Sequence, residues 1–526
     1  MAAKPSASTI PFRTRSPTRS TSRTAVRTFY VLLALLLLWQ FRSLSNRSSP
    51  ADPTSSPSSS LPPPPSSQTP ANGTCPEIPG IADVFVVVKA GVVEHRTKLP
   101  VHFSTTLRCV PRYAVYSDYA ETIGGGHAVA DALEGVDLWK VAPRADAEFY
   151  DRLRRDGGQA ALSKEELEAW GGAVAPAQGN NGGGGGAGTG DKGGKKAQNA
   201  QKLLAKLKED NPGRRLDKWK MVPAVDKALR AAPDAKWFVF VEPDTYVLWA
   251  NLVEWLQMFD ADAPWYLGEP EQVGADVFAN GGAGVVLSVE AARKVSTLYK
   301  ENAERVERIT ASRPNGPAAL GRVLKEVGVP LTWSWPNLQS GSPSQMDWGE
   351  ARHEFGRLWC HRAVSYHGLS TDEIDYLYTA EQAARAAGTP LTHHSHVFQD
   401  FVMSQLSSLK PNWDNFADRK TFRKLTKKGL KSGRRIKNWG DCRLECDQYG
   451  NCIGFSWIGK ECRFNTKFQL GQKNTTSSGD GKILTSGFMT DRVDWMIRWL
   501  EDESCRKWEE WVLPVPFDST VDEEDD

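Results

Sequence analysis

Apolar positions along this chain fall into short runs bounded by polar or glycine-rich turns, and one run sets the register of the rest. Trp237-Phe-Val-Phe-Val-Glu242 places aromatic and β-branched side chains in succession without polar alternation, which predicts a strand buried on both faces. Ala82–Val88 reads as an earlier buried strand, Thr97–Leu107 as a helix carrying Val101, Phe103 and Leu107, and Arg112–Asp118 as a second strand with a polar end. Strand, helix and strand of these lengths form a βαβ unit, so a parallel sheet is expected. Further on, Arg214–Pro223 predicts a helix leading into the Trp237 strand. Trp249–Phe259 predicts another, with Leu252, Trp255, Leu256 and Phe259 along one face. Trp265–Gly268 reads as a short strand, Phe278–Ser288 as a glycine turn running into an apolar strand, and Val289–Tyr299 and Ala318–Val327 as helices.

Before the first of these strands lies sequence of a different kind. Residues 1–47 hold eight Lys or Arg and no acid, interrupted by eleven apolar residues, Phe29–Trp39. The 14 uncharged residues between Arg27 and Arg42 span about 21 Å as helix. That is short of the ~20 residues a crossing needs, although both arginines can snorkel. A cleaved signal peptide and an uncleaved anchor compete for this segment. The long basic arm and the lack of an Ala-x-Ala site favour an anchor with the arm in the cytosol. The expected organisation is a cytosolic arm at 1–27, a membrane signal-anchor at 28–44 and a Ser/Pro-rich stem at 45–80. A main domain at 81–405 follows, broken by a disordered Gly-rich insert at about 172–198. A basic linker at 406–438, a cysteine-rich module at 439–512 and an acidic tail at 513–526 complete the chain.

At 526 residues two or three folded units are expected, and the net charge of +2 adds little; no nucleic-acid partner is expected. Eight cysteines (Cys75, Cys109, Cys360, Cys442, Cys446, Cys452, Cys462 and Cys505) suit disulfides in an oxidising lumen. Sequons at Asn46, Asn72 and Asn474 agree weakly with that compartment.

The chemistry gathers where the Trp237 strand ends. Glu242 and Asp244 stand two residues apart on extended backbone, so their side chains point the same way, and Pro243 stiffens the turn between them. Ligands of α/β sheets bind outside the carboxyl ends of the strands. Hard oxygen donors there suit Mn²⁺ or Mg²⁺ carrying a diphosphate. Taken alone, an E-x-D at a strand end is more often a pair of solvated acids.

The order of the segments resembles glycosyltransferase family 31, the group of Fringe and the core 1 β1,3-galactosyltransferases, and particularly its fungal members. The matching pieces are Lys89-Ala-Gly91, Thr105–Cys109, Tyr116-Ser-Asp118 and Leu216-Asp-Lys-Trp-Lys220. After them come Glu242-Pro-Asp-Thr-Tyr-Val247, Gly281-Gly-Ala-Gly-Val-Val-Leu-Ser288, Trp359-Cys360 and Ser365-Tyr-His367. The resemblance implies a GT-A fold, α/β with a Rossmann-like, mostly parallel sheet. It implies a UDP-sugar donor held through Mn²⁺ or Mg²⁺. Asp244 would bind the ion, Glu242 would brace it or reach the ribose, and His367 would complete the metal site. Asp118 and Lys220 would contact uracil, ribose or phosphate, and Gly281, Gly282 and Gly284 would let the backbone pass close to donor and acceptor.

One departure stands out. The family carries an acid before its A-L-G-x-x-L helix, the expected general base of inverting transfer, whereas here Pro317 occupies that place beside Asn315. Asp347, Glu350 and Glu354 are other acids nearby, and nothing in the sequence selects among them. The stretch Trp439–Phe464 resembles a PAN/apple module, which implies Cys446–Cys452 and Cys442–Cys462 among three possible pairings. Cys505 is a candidate partner for Cys360. The expected function is a type II Golgi or endoplasmic-reticulum transferase moving a sugar, β1,3-galactose by family habit, onto a glycan or glycoprotein acceptor. A UDP-sugar-binding or chaperone-like relative without the base, and a glycan-binding protein acting through the module, are the rivals.

Overall fold

The computed structural model describes residues 75–171, 211–349, 352–353, 356–422, 430–431, 435–474, 482–501 and 511–512. The expected arm, anchor, most of the stem, the Gly-rich insert, Glu350, Glu354, Cys505 and the acidic tail lie outside these residues. Among the described residues no helix is long and apolar enough to cross a membrane.

Eight strands make the main sheet: β1 Val84–Lys89, β2 Tyr113–Ser117, β3 Glu121–Ile123, β4 His127–Asp131, β5 Trp237–Val241, β6 Tyr266–Gly268, β7 Val285–Ser288 and β8 Leu331–Trp333. They run in the order β8-β6-β7-β5-β1-β2-β4-β3. Strands β5, β1, β2 and β4 are mutually parallel, as are β6 and β8, while β7 runs antiparallel to both β5 and β6. The expectation of a mostly parallel sheet thus becomes a mixed one, compatible with a GT-A domain. Because β7 alone is reversed between them, β5 and β6 point the same way, and their carboxyl ends share one edge with the start of β7.

The double-sided burial read from the Trp237 run has a direct counterpart. Phe238 and Phe240 enter one core with Val225, Ala228, Ala292 and Val295, and Trp237, Val239 and Val241 enter the other with Leu252, Trp255 and Phe259. Four helices supply the covering faces nearest the site. They are α1 His95–Ser104, α2 Pro212–Ala231, α3 Trp249–Leu256 and α4 Val289–Glu301; a fifth, α5 Gly316–Glu326, packs beside α2. Three of these depart from expectation by three residues or more, one being α3, which ends at Leu256 instead of Phe259. Helix α1 ends three residues early, because Thr105 leaves helical geometry (φ −123°, ψ −98°), and Leu107 reaches the core from the following turn. Helix α2 runs on through Pro223 to Ala231.

The carboxyl-terminal part is a second sheet: β9 Lys410–Pro411, β10 Lys420–Phe422, β11 Gly454–Ile458, β12 Glu461–Asn465 and β13 Thr485–Phe488, ordered β9-β13-β11-β12-β10. Helix α6, Trp439–Asp447, packs on it through Cys442 and Cys446. The disulfides are Cys442–Cys462 and Cys446–Cys452, the pairing the module resemblance implied. Residues expected to be linker therefore contribute two edge strands to this sheet. Cys75 pairs with Cys109, and Cys360 is also disulfide-bonded. The two sheets are joined by an aromatic contact in which Trp348 and Phe468 both meet Phe398, and by Trp348 N–H donating to the Phe468 carbonyl at 3.0 Å. Trp511 returns to the main domain's core, where the Trp255 indole donates to the Val512 carbonyl at 3.2 Å.

Candidate functional site

The carboxyl end of β5 turns sharply because Thr245 ties it down. Its amide donates to the Glu242 carbonyl at 3.0 Å, and its hydroxyl donates to the Gly282 carbonyl at 2.8 Å, pinning the glycine loop to the Glu-Pro-Asp turn. The chain then forms a two-residue strand, Tyr246–Val247, antiparallel to Ser365–Tyr366 with Tyr246 opposite Tyr366. That register sets His367, one residue further on, beside Asp244. The Ser365 hydroxyl donates to the Ala283 carbonyl at 2.5 Å, and the Leu369 amide to the Asp244 carbonyl at 3.1 Å. Segments distant in sequence are locked around one point.

At that point Glu242, Asp244 and His367 offer ligating atoms that all lie within 4.8 Å of one another. His367 Nε2 is 3.2 Å from Asp244 Oδ1 and 3.5 Å from Glu242 Oε2. Its Nδ1 faces the Ser340 carbonyl at 3.3 Å, which can only accept, so Nδ1 carries a proton and Nε2 is turned toward the carboxylates. An imidazole oriented by a backbone carbonyl, with two carboxylates, is a donor set that fits a divalent ion such as Mn²⁺ or Mg²⁺.

These three residues belong to a longer row of alternating charge. Asp118 pairs with Lys220 at 2.7 Å, Lys220 with Asp217 at 3.1 Å, Asp217 with Lys89 at 2.6 Å and Lys89 with Glu242 at 3.1 Å. Beyond His367, Asp244 pairs with Lys98 at 3.2 Å, and Lys98 with Glu94 at 2.8 Å. Every expected charged site residue is therefore present in one network. Asp118 and Lys220, however, are fully buried and face each other. Asp118 also accepts from Val92 N–H at 3.0 Å, and Lys220 donates to the Ala90 carbonyl at 2.8 Å. They reach the cluster through Asp217 and Lys89.

The row sets the protonation states. Burial opposes charge on His367, but the Asp244 and Glu242 carboxylates outweigh it and push its pKa up to about 10. Burial likewise works to raise the Glu242 and Asp244 carboxyls, yet Lys89 with His367 for the first, and His367 with Lys98 for the second, hold both below the ordinary range. The Lys89 ammonium is disfavoured by burial and rescued by Asp217 and Glu242, so its pKa ends well above the usual value.

The three glycines are required for different reasons within the protein itself. A Cβ on Gly282 would sit 2.5 Å from the His367 ring, and one on Gly281 would sit 2.6 Å from Pro317 Cγ and 3.4 Å from Glu242 Oε1. Gly284 is needed for its backbone instead, with φ of +102°. Pro317 opens α5, and Asn315 caps that helix by accepting from Ala318 N–H at 2.8 Å. Neither offers a base. Asp347 accepts from Gly349 and Phe468 amides, both at 3.1 Å, and is spent at the junction with the second sheet.

Sequence reasoning passed over Lys98 and Glu94, which lie on α1 and its entrance, and over Glu269. Glu269 follows β6 on the same sheet edge as Glu242, and the strand-end rule that singled out Glu242 would have found it. Against this geometry, residues 211–340, which hold β5, the Glu242–Asp244 turn and the glycine loop, match the family model described as Fringe-like, and this supports a glycosyltransferase.

Proposed function

We propose that the chain is a metal-dependent transferase that moves a sugar from a UDP-sugar to a glycan or glycoprotein acceptor. Galactose in an inverting β1,3 linkage is the expected chemistry, and a single-pass type II protein of the Golgi or endoplasmic reticulum the expected setting. The observation that carries the reading is the meeting of Glu242, Asp244 and His367 at the carboxyl end of β5. These residues would hold Mn²⁺ or Mg²⁺, which when bound supplies charge neutralisation for a diphosphate leaving group. Lys98 and Lys89, already aimed at the same carboxylates, would sit beside the diphosphate as fixed cations. The glycine loop holds backbone close to the donor without side chains in the way. The stapled second sheet is proposed as a PAN/apple-like unit that engages the acceptor.

Calorimetry of UDP binding with Mn²⁺ tests the reading, together with transfer assays across a panel of UDP-sugars. Asp244→Ala is expected to weaken UDP binding in Mn²⁺ at least tenfold, and unchanged affinity would refute the scheme. The buried Pro317 at the family's acid position favours one second reading, a UDP-sugar binder without catalysis. Wild-type protein that binds UDP with Mn²⁺ yet neither transfers nor hydrolyses any donor would establish that alternative.

A further inference from the structure

Pro317 and Asn315 cannot take a proton and Asp347 is engaged elsewhere, but among the described residues Glu269 is a further carboxylate at the sheet edge that carries the cluster. Glu269 directly follows β6, and β6 is parallel to β5 with only β7 between them. Its α-carbon therefore lies about 10 Å from that of Glu242, two strand spacings away. The backbone binds it to the glycine loop, since Asn280 N–H donates to the Glu269 carbonyl at 2.7 Å. The side chain is tied to the metal cluster at one remove. The Ser340 hydroxyl donates to Glu269 Oε1 at 3.0 Å, while the Ser340 carbonyl receives the His367 Nδ1 proton. Oε1 is thus positioned, and Oε2 is buried without a hydrogen-bond partner among the described residues. A buried carboxylate oxygen left unpaired is costly, so a proton donor brought to it by a ligand would be favoured there.

We propose that Glu269 is the general base of the transfer, in the place left by Pro317. This rests on the reading of the chain as a UDP-sugar-dependent transferase. In the step, Glu269 Oε2 takes the proton of the acceptor hydroxyl as that oxygen bonds to the anomeric carbon. The bond from the anomeric carbon to the β-phosphate oxygen breaks, and its electron pair leaves with UDP. The surroundings suit the task. Burial pushes the carboxyl up to about 7, against the hydrogen bonds from Ser340 and the pull of His367, and with a small push from Glu271. A base with a pKa near the working pH is the efficient one. Glu271 is the nearest competitor, but its Oε2 already accepts from Asn280 Nδ2 at 2.9 Å.

The test uses the full-length chain in detergent, with the UDP-sugar that wild type turns over fastest from a commercial panel and with water or an aryl glycoside as acceptor. Glu269→Gln is isosteric and is expected to lower kcat about 10²- to 10⁴-fold. UDP affinity in Mn²⁺, read by calorimetry, is expected to stay within threefold of wild type. Wild-type activity should fall tenfold per pH unit below about pH 7, and the residual activity of Glu269→Gln should lack that limb. Glu269→Asp should recover part of the rate. If Glu269→Gln keeps wild-type kcat and its acid limb, or if Glu271→Gln abolishes the limb instead, the assignment to Glu269 is overturned while the transferase reading stands. If wild type binds UDP but turns over nothing, both fall together.

Discussion

Gly282→Ala isolates the link between the glycine loop and the candidate metal ligands. Gly282 is not among the glycines with positive φ, so alanine brings no backbone penalty there, only a methyl group. That methyl would lie 2.5 Å from His367 Cε1 and Nδ1 and 2.6 Å from Cδ2. Carbon contacts settle at about 3.5–4.0 Å, so the ring must retreat by roughly 1 Å. Metal–ligand distances tolerate about 0.2 Å, so His367 is lost as a ligand. Misplacing even an outer partner of a metal site costs about 10–100-fold in affinity, and Mn²⁺ binding should weaken by at least that. Stability should suffer little, toward the low end of the ~1–3 kcal/mol typical of overpacking, because the ring is 24% exposed and can swing outward. Gly284→Ala is the counterpart. Its Cβ meets nothing closer than 3.8 Å, but φ of +102° makes any side chain strained, by about 1–3 kcal/mol. Mn²⁺ titration calorimetry and urea unfolding on both variants should separate the effects. Metal affinity should move at residue 282 and stability at residue 284. Wild-type Mn²⁺ affinity in Gly282→Ala would refute the reasoning.

Lys220→Met leaves Asp118 buried without its counter-charge and should cost about 3–5 kcal/mol in urea unfolding, with partial recovery in the Asp118→Asn/Lys220→Met pair. In protein stripped of metal by chelation, the raised pKa of His367 contributes stability that is complete below about 6.5, its ordinary value, and is lost as pH rises toward about 10. Unfolding free energy should therefore decline over that window in wild type and stay flatter in His367→Asn. The Cys75–Cys109 bridge spans 34 positions, so replacing both cysteines by serine should cost up to about 4 kcal/mol by loop-closure entropy, with UDP affinity unchanged.

The parts of this fold that could be read from sequence are those where one physical signal dominates. The β5 run was legible because both of its faces enter cores, which removes polar alternation. The reversal of β7 was not, since an apolar tetrad reads the same in either direction. The Glu121–Asp131 hairpin is hard to read from sequence because its strands are short, Ala128 and Ala130 face outward where polar residues would mark an alternation, and its turn is three glycines. The stretch at 406–438 looked like solvated linker because its lysines dominate the composition, while Trp413 and the short paired strands carry the packing. Within the site, Glu242 and Asp244 announce themselves by spacing. His367 depended on resemblance, for only the Tyr246–Tyr366 pairing brings it near. Asp118 and Lys220 were expected to face a nucleotide, and their complete burial follows from the positions of Ala90 and Val92, whose backbone groups claim them.

The return of Trp511 to lie with Leu252 and Trp255 has a practical meaning for anyone handling this protein. The chain leaves the large sheet, builds the small one and comes back, so the small sheet is a detour within a closed loop and no detachable appendage. A shortened version stopping near residue 438 would strip aromatic surface bare at Trp348 and Trp255 alike, and precipitation is the outcome to expect from it. Domain-deletion experiments should excise the detour while keeping its final tryptophan.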